Sequence, residues 1–270
     1  MTRLELRDVL RAHLEPRGAV LAMWEAGSHA FARDDEFSDL DIGLLATNDG
    51  VDAAWKAIDD AFETIGGVKL RWCQTAHIFK GMEQRVYQPR AANRWLQVDI
   101  GLFPESVEYL YNEIERHGKA TVLFDKTNRL APPKFDHEKH LREMRDALQQ
   151  ELMKWRSHSD FFRKELARGR HVDAFGFYIG LCIRPLLAVL GMLHRPQRWD
   201  YGFRYVKEDM PADVVARLDR LLYVAEPELL EGRLVEATAM FEDAVAQLAR
   251  RGVTPVDPKG LDFGLPQGPP

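Results

Sequence analysis

Glu25-Ala26-Gly27-Ser28-His29-Ala30-Phe31-Ala32-Arg33-Asp34-Asp35-Glu36-Phe37-Ser38-Asp39-Leu40-Asp41-Ile42-Gly43-Leu44-Leu45 is the stretch on which the reading of this chain turns. On a strand, residues i and i+2 project to the same face. Asp39 and Asp41 therefore point together, while Leu40, Ile42 and Leu44 take the opposite, apolar face. Two adjacent carboxylates repel each other and are costly without a cation between them. A pair of Mg²⁺ ions removes that cost and makes a site for phosphoryl chemistry. Nine residues separate Ser28 from Ser38. The Gly27-Ser28 pair suits a tight turn into a helix whose free N–H groups can hold phosphate. Asp-x-Asp alone is common on exposed strand edges. The spacing from Gly-Ser, the apolar alternation and a third Asp give it meaning.

The third Asp is Asp99, in Arg94-Trp95-Leu96-Gln97-Val98-Asp99-Ile100-Gly101-Leu102-Phe103. Leu96, Val98, Ile100 and Leu102 alternate with Gln97, Asp99 and Gly101, a strong strand pattern. Asp99 is then a lone charge on the polar side of a strand otherwise suited to the middle of a sheet.

This combination resembles the nucleotidyltransferase superfamily with the DNA polymerase β-like fold. There a Gly-Ser turn precedes an Asp-x-Asp strand by about this distance, and a later strand supplies a third carboxylate. The resemblance covers the motif, including Ser38 before the first Asp. It implies Mg²⁺, two ions, held by Asp39, Asp41 and Asp99, with ATP or another NTP as co-substrate. Gly27, Ser28 and Ser38 would lie against the nucleotide. Asp99 either completes the metal site or accepts the proton of the acceptor hydroxyl, and the sequence does not separate these roles.

The remaining N-terminal half reads as scaffold. Leu4, Leu6, Val9, Leu10 and Leu14 give an amphipathic helix ending at Pro16-Arg17-Gly18. Ala19 to Trp24 reads as a buried strand. Val51 to Ile65 reads as a helix with Asn48 and Asp49 as start signals and Gly66-Gly67 as the stop. Val68 to Lys80 and Glu83 to Gln88 read as strands, Pro104 to Arg116 as a helix, and Ala120 to Asp125 as a last strand.

Pro132-Pro133 marks a break, and almost no strand signal follows. The expected class is α+β: a catalytic domain over 1–131 with a mixed sheet, a helical bundle over 134–251, and a flexible tail over 252–270. His171 to Leu193 is the most apolar run. Arg184-Pro185 and three glycines interrupt it, so it reads as a central bundle helix kinked at Pro185 rather than a membrane span. His137 and His140, spaced i, i+3, read as a solvated helix face. Trp199-Asp200-Tyr201-Gly202-Phe203-Arg204-Tyr205-Val206-Lys207 is an aromatic, basic connection. Arg184, Arg204 and Lys207 are candidate phosphate contacts, with Lys207 taken as the nucleotide-binding one, although an anchoring role for the segment fits its composition better. This α/β-then-α order resembles the small-molecule nucleotidyltransferases, the aminoglycoside and lincosamide adenylyltransferases among them.

Composition bounds the partners. A net charge of −5, from 37 basic and 42 acidic residues, lacks the overall basic surface that a nucleic-acid substrate needs. A small, hydroxyl-bearing and cationic acceptor suits it better, with Asp34-Asp35-Glu36 as an acidic run beside the metal strand. An antibiotic-modifying role is one option. The rivals are a protein- or tRNA-modifying nucleotidyltransferase of the toxin–antitoxin type and a non-catalytic nucleotide-binding module. Cys73 and Cys182 fall in different domains and apolar settings, which points to a reducing, cytoplasmic compartment. No signal peptide and no membrane partner are expected. The oligomeric state stays open.

Overall fold

The computed structural model describes residues 1–74 and 80–256. The chain divides into two compact units, Met1–Phe135 and Asp136–Pro270. The first has a mixed sheet with helices and the second is helical, so the class is α+β.

In the first unit α1 (Arg3–Leu14) opens on a capping box. The Thr2 hydroxyl accepts from the Glu5 N–H, and the Glu5 carboxylate from the Thr2 N–H. Then come β1 (Val20–Glu25), α2 (Gly27–Ala30), β2 (Leu40–Ala46), α3 (Val51–Glu63), β3 (Val68–Gln74), β4 (Glu83–Pro89), β5 (Val98–Pro104), α4 (Ile114–His117) and β6 (Thr121–Asp125). The strand order is β3-β4-β5-β2-β1-β6. β2 and β5 run parallel, and every other neighbouring pair is antiparallel. A parallel pair needs a long crossover, which α3 and the β3–β4 pair supply.

The two-residue period sorts the sheet into faces. Leu40, Ile42 and Leu44 of β2 and Val98, Ile100 and Leu102 of β5 share a core with Leu6, Leu10 and Leu14 of α1 and Trp55, Ile58 and Phe62 of α3. The opposite face holds a smaller cluster built on Ala22, Trp24, Leu45, Phe103 and Leu130. Where β2 and β5 begin, that second face carries Asp41 and Asp99 in place of apolar side chains.

Two sequence expectations are corrected here, and a third falls partly outside the described residues. The N-cap of α3 is Gly50, with no side-chain cap. Asn48 is instead spent joining the end of β2 to the segment after β5: its N–H donates to Glu105 Oε1 at 3.2 Å, and its Oδ1 accepts from the Ser106 N–H at 3.1 Å. The expected helix from Pro104 to Arg116 shrinks to α4. Pro104 is the last residue of β5, opposite Ala46, the Glu105 N–H donates to the Ala46 carbonyl, and Arg129 donates to the Val107 carbonyl at 2.8 Å. With its polar groups paired this way, the segment has no need of helical bonds. The strand expected from Val68 to Lys80 is seen through Gln74, and 75–79 lie outside the described residues.

The second unit contains α5 (His137–His158), α6 (Phe162–Ala167), α7 (His171–Tyr178), α8 (Arg184–His194), α9 (Val206–Asp209), α10 (Ala212–Leu222) and α11 (Leu230–Arg250). A π-helical turn, Ile179–Ile183, joins α7 to α8. It replaces the expected kink at Pro185. Pro185 has no N–H to donate and its ring crowds the carbonyl four residues back, and a widened turn relieves both problems. His171–His194 is long and apolar enough to cross a membrane, but 61% of its apolar window is buried inside the protein. His140 is not solvated: it is buried and its Nε2 lies 2.7 Å from the Pro196 carbonyl. Arg195, almost fully buried, donates to the Gly202 carbonyl at 2.5 Å and pairs with Asp209 at 3.6 Å. The 199–207 connection is thereby anchored. Of the expected tail, 257–270 lie outside the described residues.

Candidate active site

The parallel pairing of β2 with β5 puts Asp41 opposite Asp99 on one face of the sheet. Asp39 precedes β2 by one residue. Its Oδ1 accepts the Gln97 N–H at 3.2 Å, and the Leu40 N–H donates to the Gln97 carbonyl at 2.9 Å. The three carboxylates expected from the sequence thus gather where two adjoining parallel strands begin. Burial raises the proton affinity of Asp99, and the charge of Asp39 raises it further, against the bonds from Gln84. Partial desolvation likewise raises that of Asp39, against the Gln97 N–H.

Gln84 on β4 is a site residue that sequence reading missed. Its Nε2 donates to both oxygens of Asp99, each at 2.8 Å. Its Oε1 is buried and has no hydrogen-bond partner among the described residues. The signal was a Gln on the polar phase of an alternating strand, which carries no weight until the β4–β5 register is known.

The Gly27–Ser28 turn lies against Asp41. The Ala26 N–H donates to the Asp41 carbonyl at 2.9 Å. Gly27 has φ +61, and a Cβ on it would overlap Asp41 Oδ2. Glycine is therefore required twice, for its backbone conformation and for the close approach of the carboxylate. As the first residues of one helical turn, Gly27, Ser28 and His29 have no partner four residues back within it for their N–H groups.

A charged network behind the turn was also missed. Glu25 is fully buried and pairs with Arg3, and with Arg7 at 3.5 Å. Arg3 also pairs with Asp34. His29 meets Asp34 Oδ1 at 3.2 Å through Nδ1 and Thr121 Oγ1 at 3.1 Å through Nε2. Burial alone would raise the pKa of Asp34; the His29 bond and the Arg3 charge outweigh it and hold the group below its ordinary value. The acidic run is thus largely committed internally. Asp34 is paired, and Asp35 Oδ1 accepts from the Phe37 N–H at 3.0 Å and from Ser38 Oγ at 2.9 Å. That last bond engages Ser38 in its own loop. Lys207 is exposed on α9, in the second unit.

The side chains at the site offer a cation only oxygens: the carboxylates of Asp39, Asp41 and Asp99 and the amide oxygen of Gln84. That set suits a hard ion such as Mg²⁺ rather than zinc or copper. Among the described residues no group of three or more acidic, His or Cys side chains is placed to hold a metal ion, Asp39, Asp41 and Asp99 included. Mg²⁺ does not need one, because it commonly takes one or two carboxylates and completes its shell with water and substrate phosphate. The residues fit the ion in chemistry. On the same sheet face, a recess of about 200 Å³ lies beside Trp24, walled by Ile114, Val122 and Leu130 with Lys119 and Asn112 as polar groups. It does not include the carboxylates.

Neither a protein-family model nor a curated protein matches the sequence. Among solved structures the chain is similar to an aminoglycoside 6-adenyltransferase from Bacillus subtilis, at 16% identity over 95% of this chain and 94% of that one, with a TM-score of 0.35. It is also similar to a nucleotidyltransferase-like protein from Exiguobacterium sibiricum 255-15, at 12% identity over 92% and 77% of the two chains, with a TM-score of 0.38. Likeness at this level leaves the chemistry to this chain's own residues.

Proposed function

We propose that this chain is a Mg²⁺-dependent nucleotidyltransferase that moves a nucleoside monophosphate, AMP from ATP, onto a hydroxyl of a small molecule. The observation that carries the reading is Asp41 opposite Asp99 on adjoining parallel strands, with Asp39 bonded to Gln97 just before them and the Gly27 backbone pressed against Asp41. Asp39 and Asp41 would hold the divalent ions, which supply positive charge against the triphosphate and ease deprotonation of the acceptor hydroxyl. The N–H groups of the Gly27–Ser28 turn and the Ser28 hydroxyl bind the β- and γ-phosphates. The exposed ammonium of Lys207 is a further candidate for phosphate. Asp99, with its raised proton affinity, accepts the proton as the acceptor oxygen attacks the α-phosphorus. The bond to the bridging oxygen breaks, pyrophosphate leaves, and the proton passes from Asp99 to solvent.

For the acceptor, the negative net charge favours a small or cationic molecule over tRNA. Aminoglycosides are the first candidates to assay. Asp34 is paired with Arg3 and His29, and the exposed Asp35 is bonded within its own loop, so the case for a cation rests mainly on the overall charge. The test incubates the protein with α-labelled ATP, Mg²⁺ and separate pools of aminoglycosides, other small alcohols, tRNA and cell protein. Label should reach a small molecule, with one added nucleoside monophosphate by mass spectrometry, and Asp39→Asn or Asp41→Asn should abolish transfer. Label on tRNA or protein alone would replace the acceptor. A variant with near-normal transfer would remove the assignment of the carboxylates.

A further inference from the structure

Two large aromatic side chains stand exposed on the segments that lead into the two site strands. Phe37 is 60% exposed and Trp95 is 52% exposed. Their rings meet edge to face with centroids 6.5 Å apart. The Arg94 guanidinium lies 4.2 Å from the Trp95 ring centroid. Phe37 precedes Asp39 by two residues, and Trp95 precedes Gln97, the residue whose N–H holds Asp39, by the same step. The loops that carry the rings are pinned. The Phe37 N–H donates to Asp35 Oδ1 at 3.0 Å, and the N–H groups of Trp95 and Leu96 both donate to Asn93 Oδ1, at 2.8 and 2.9 Å.

We propose that Phe37 and Trp95, with Arg94 behind them, form a stacking platform for the nucleobase of the bound NTP. This rests on the nucleotidyl-transfer reading of the carboxylates. The direction of β2 chooses the base as occupant. Gly27 abuts Asp41, Asp39 lies two residues back toward the start of the strand, and Phe37 lies two residues beyond that. A triphosphate with its terminal phosphates on the Gly27–Ser28 turn and its α-phosphate at the carboxylates extends its nucleoside toward Phe37 and Trp95. Every base offers a π face, and aromatic side chains use it without reading the base edge. Arg94 adds a cation to the stack. The platform therefore prefers purines, with their larger faces, and separates ATP from GTP only weakly.

The test compares Mg·ATP with Mg·tripolyphosphate, which keeps the phosphate chain and lacks the base, by titration calorimetry. The wild type should bind ATP at least about ten-fold more tightly than tripolyphosphate. Trp95→Ala and Phe37→Ala should each weaken ATP by about five- to one-hundred-fold, the range expected for one lost stacking partner. Both should leave tripolyphosphate affinity and the melting temperature unchanged, because the side chains are exposed. Trp95→Phe should recover most of the loss. Equal ATP affinity in the wild type and the Phe37→Ala/Trp95→Ala double variant, with tripolyphosphate still bound, would overturn the platform and leave the phosphate site standing. Failure of the wild type to bind either ligand would overturn both.

Discussion

At the residue scale the site is a negotiation between Gly27 and three carboxylates. Gly27 has a left-handed backbone conformation, and Asp41 Oδ2 fills the space that a Cβ there would take. The Gly-Ser to Asp-x-Asp spacing in the sequence is thus the imprint of a direct contact. The carboxylates themselves are held at a cost. Asp99 is raised by burial and by Asp39, so its native form binds a proton more tightly than the unfolded chain does. The sign follows from linkage: the stability this contributes is full below the ordinary carboxylate pKa and is lost as pH rises through the native value. Asp99→Asn removes that titration and still offers Gln84 an oxygen to donate to. In urea unfolding without metal, its stability should match the wild type's below about pH 4 and exceed it near pH 7. The comparison cancels the opposite pH trend of Asp34 and Asp125, whose native values lie below the ordinary one. A variant less stable than the wild type at neutral pH would show that Asp99 is stabilised, not strained, by its surroundings.

At the element scale, α1 and β1 are tied by an ion pair to the buried Glu25, and α2 and β6 by a hydrogen bond. Arg3 of α1 reaches both Glu25, at the end of β1, and Asp34, in the loop after α2, while His29 of α2 reaches Thr121 of β6. Arg3→Met leaves Glu25 buried with less compensation. Losing one partner of a buried pair costs about 3–5 kcal/mol, and the lower end applies here because Arg7 and His29 remain near Glu25. Chemical unfolding of Arg3→Met should show that loss, and a double-mutant cycle with Glu25→Gln should show coupling. Additive effects would mean the network does not bind the elements together. None of this was legible in the sequence, because Arg3 and Asp34 are 31 positions apart and a charge pattern does not say which charges meet. What was legible is what periodicity encodes. The alternation in Leu40–Ala46 and Val98–Pro104 marked both site strands and fixed which residues faced the core. The segment after Pro104 misled because its backbone groups are paired by Asn48, Ala46 and Arg129, partners that no local pattern reveals.

At the scale of the whole chain, each unit has a core of its own. Leu40, Ile42, Val98 and Ile100 belong to one, and Tyr178, Leu186, Leu190 and Phe241 to another. A nucleotide bound by the carboxylates and the Gly27–Ser28 turn engages residues of the first unit, all on one sheet face or beside it. A ligand that binds only the native state adds its free energy to the structure it touches, and amide exchange reports that locally. Mg·ATP should therefore slow exchange in Gly27–Ala30, in the loop through Ser38 and in the first residues of β2 and β5. Protection should extend to Val206–Asp209 if Lys207 holds phosphate, and Lys207→Ala should then remove that added protection while leaving the first-unit pattern intact. EDTA should abolish the whole effect, because without the cation the triphosphate meets three carboxylates of its own sign. Protection confined to α5–α11, or protection that survives EDTA undiminished, would place the nucleotide away from the three carboxylates and end the proposed mechanism.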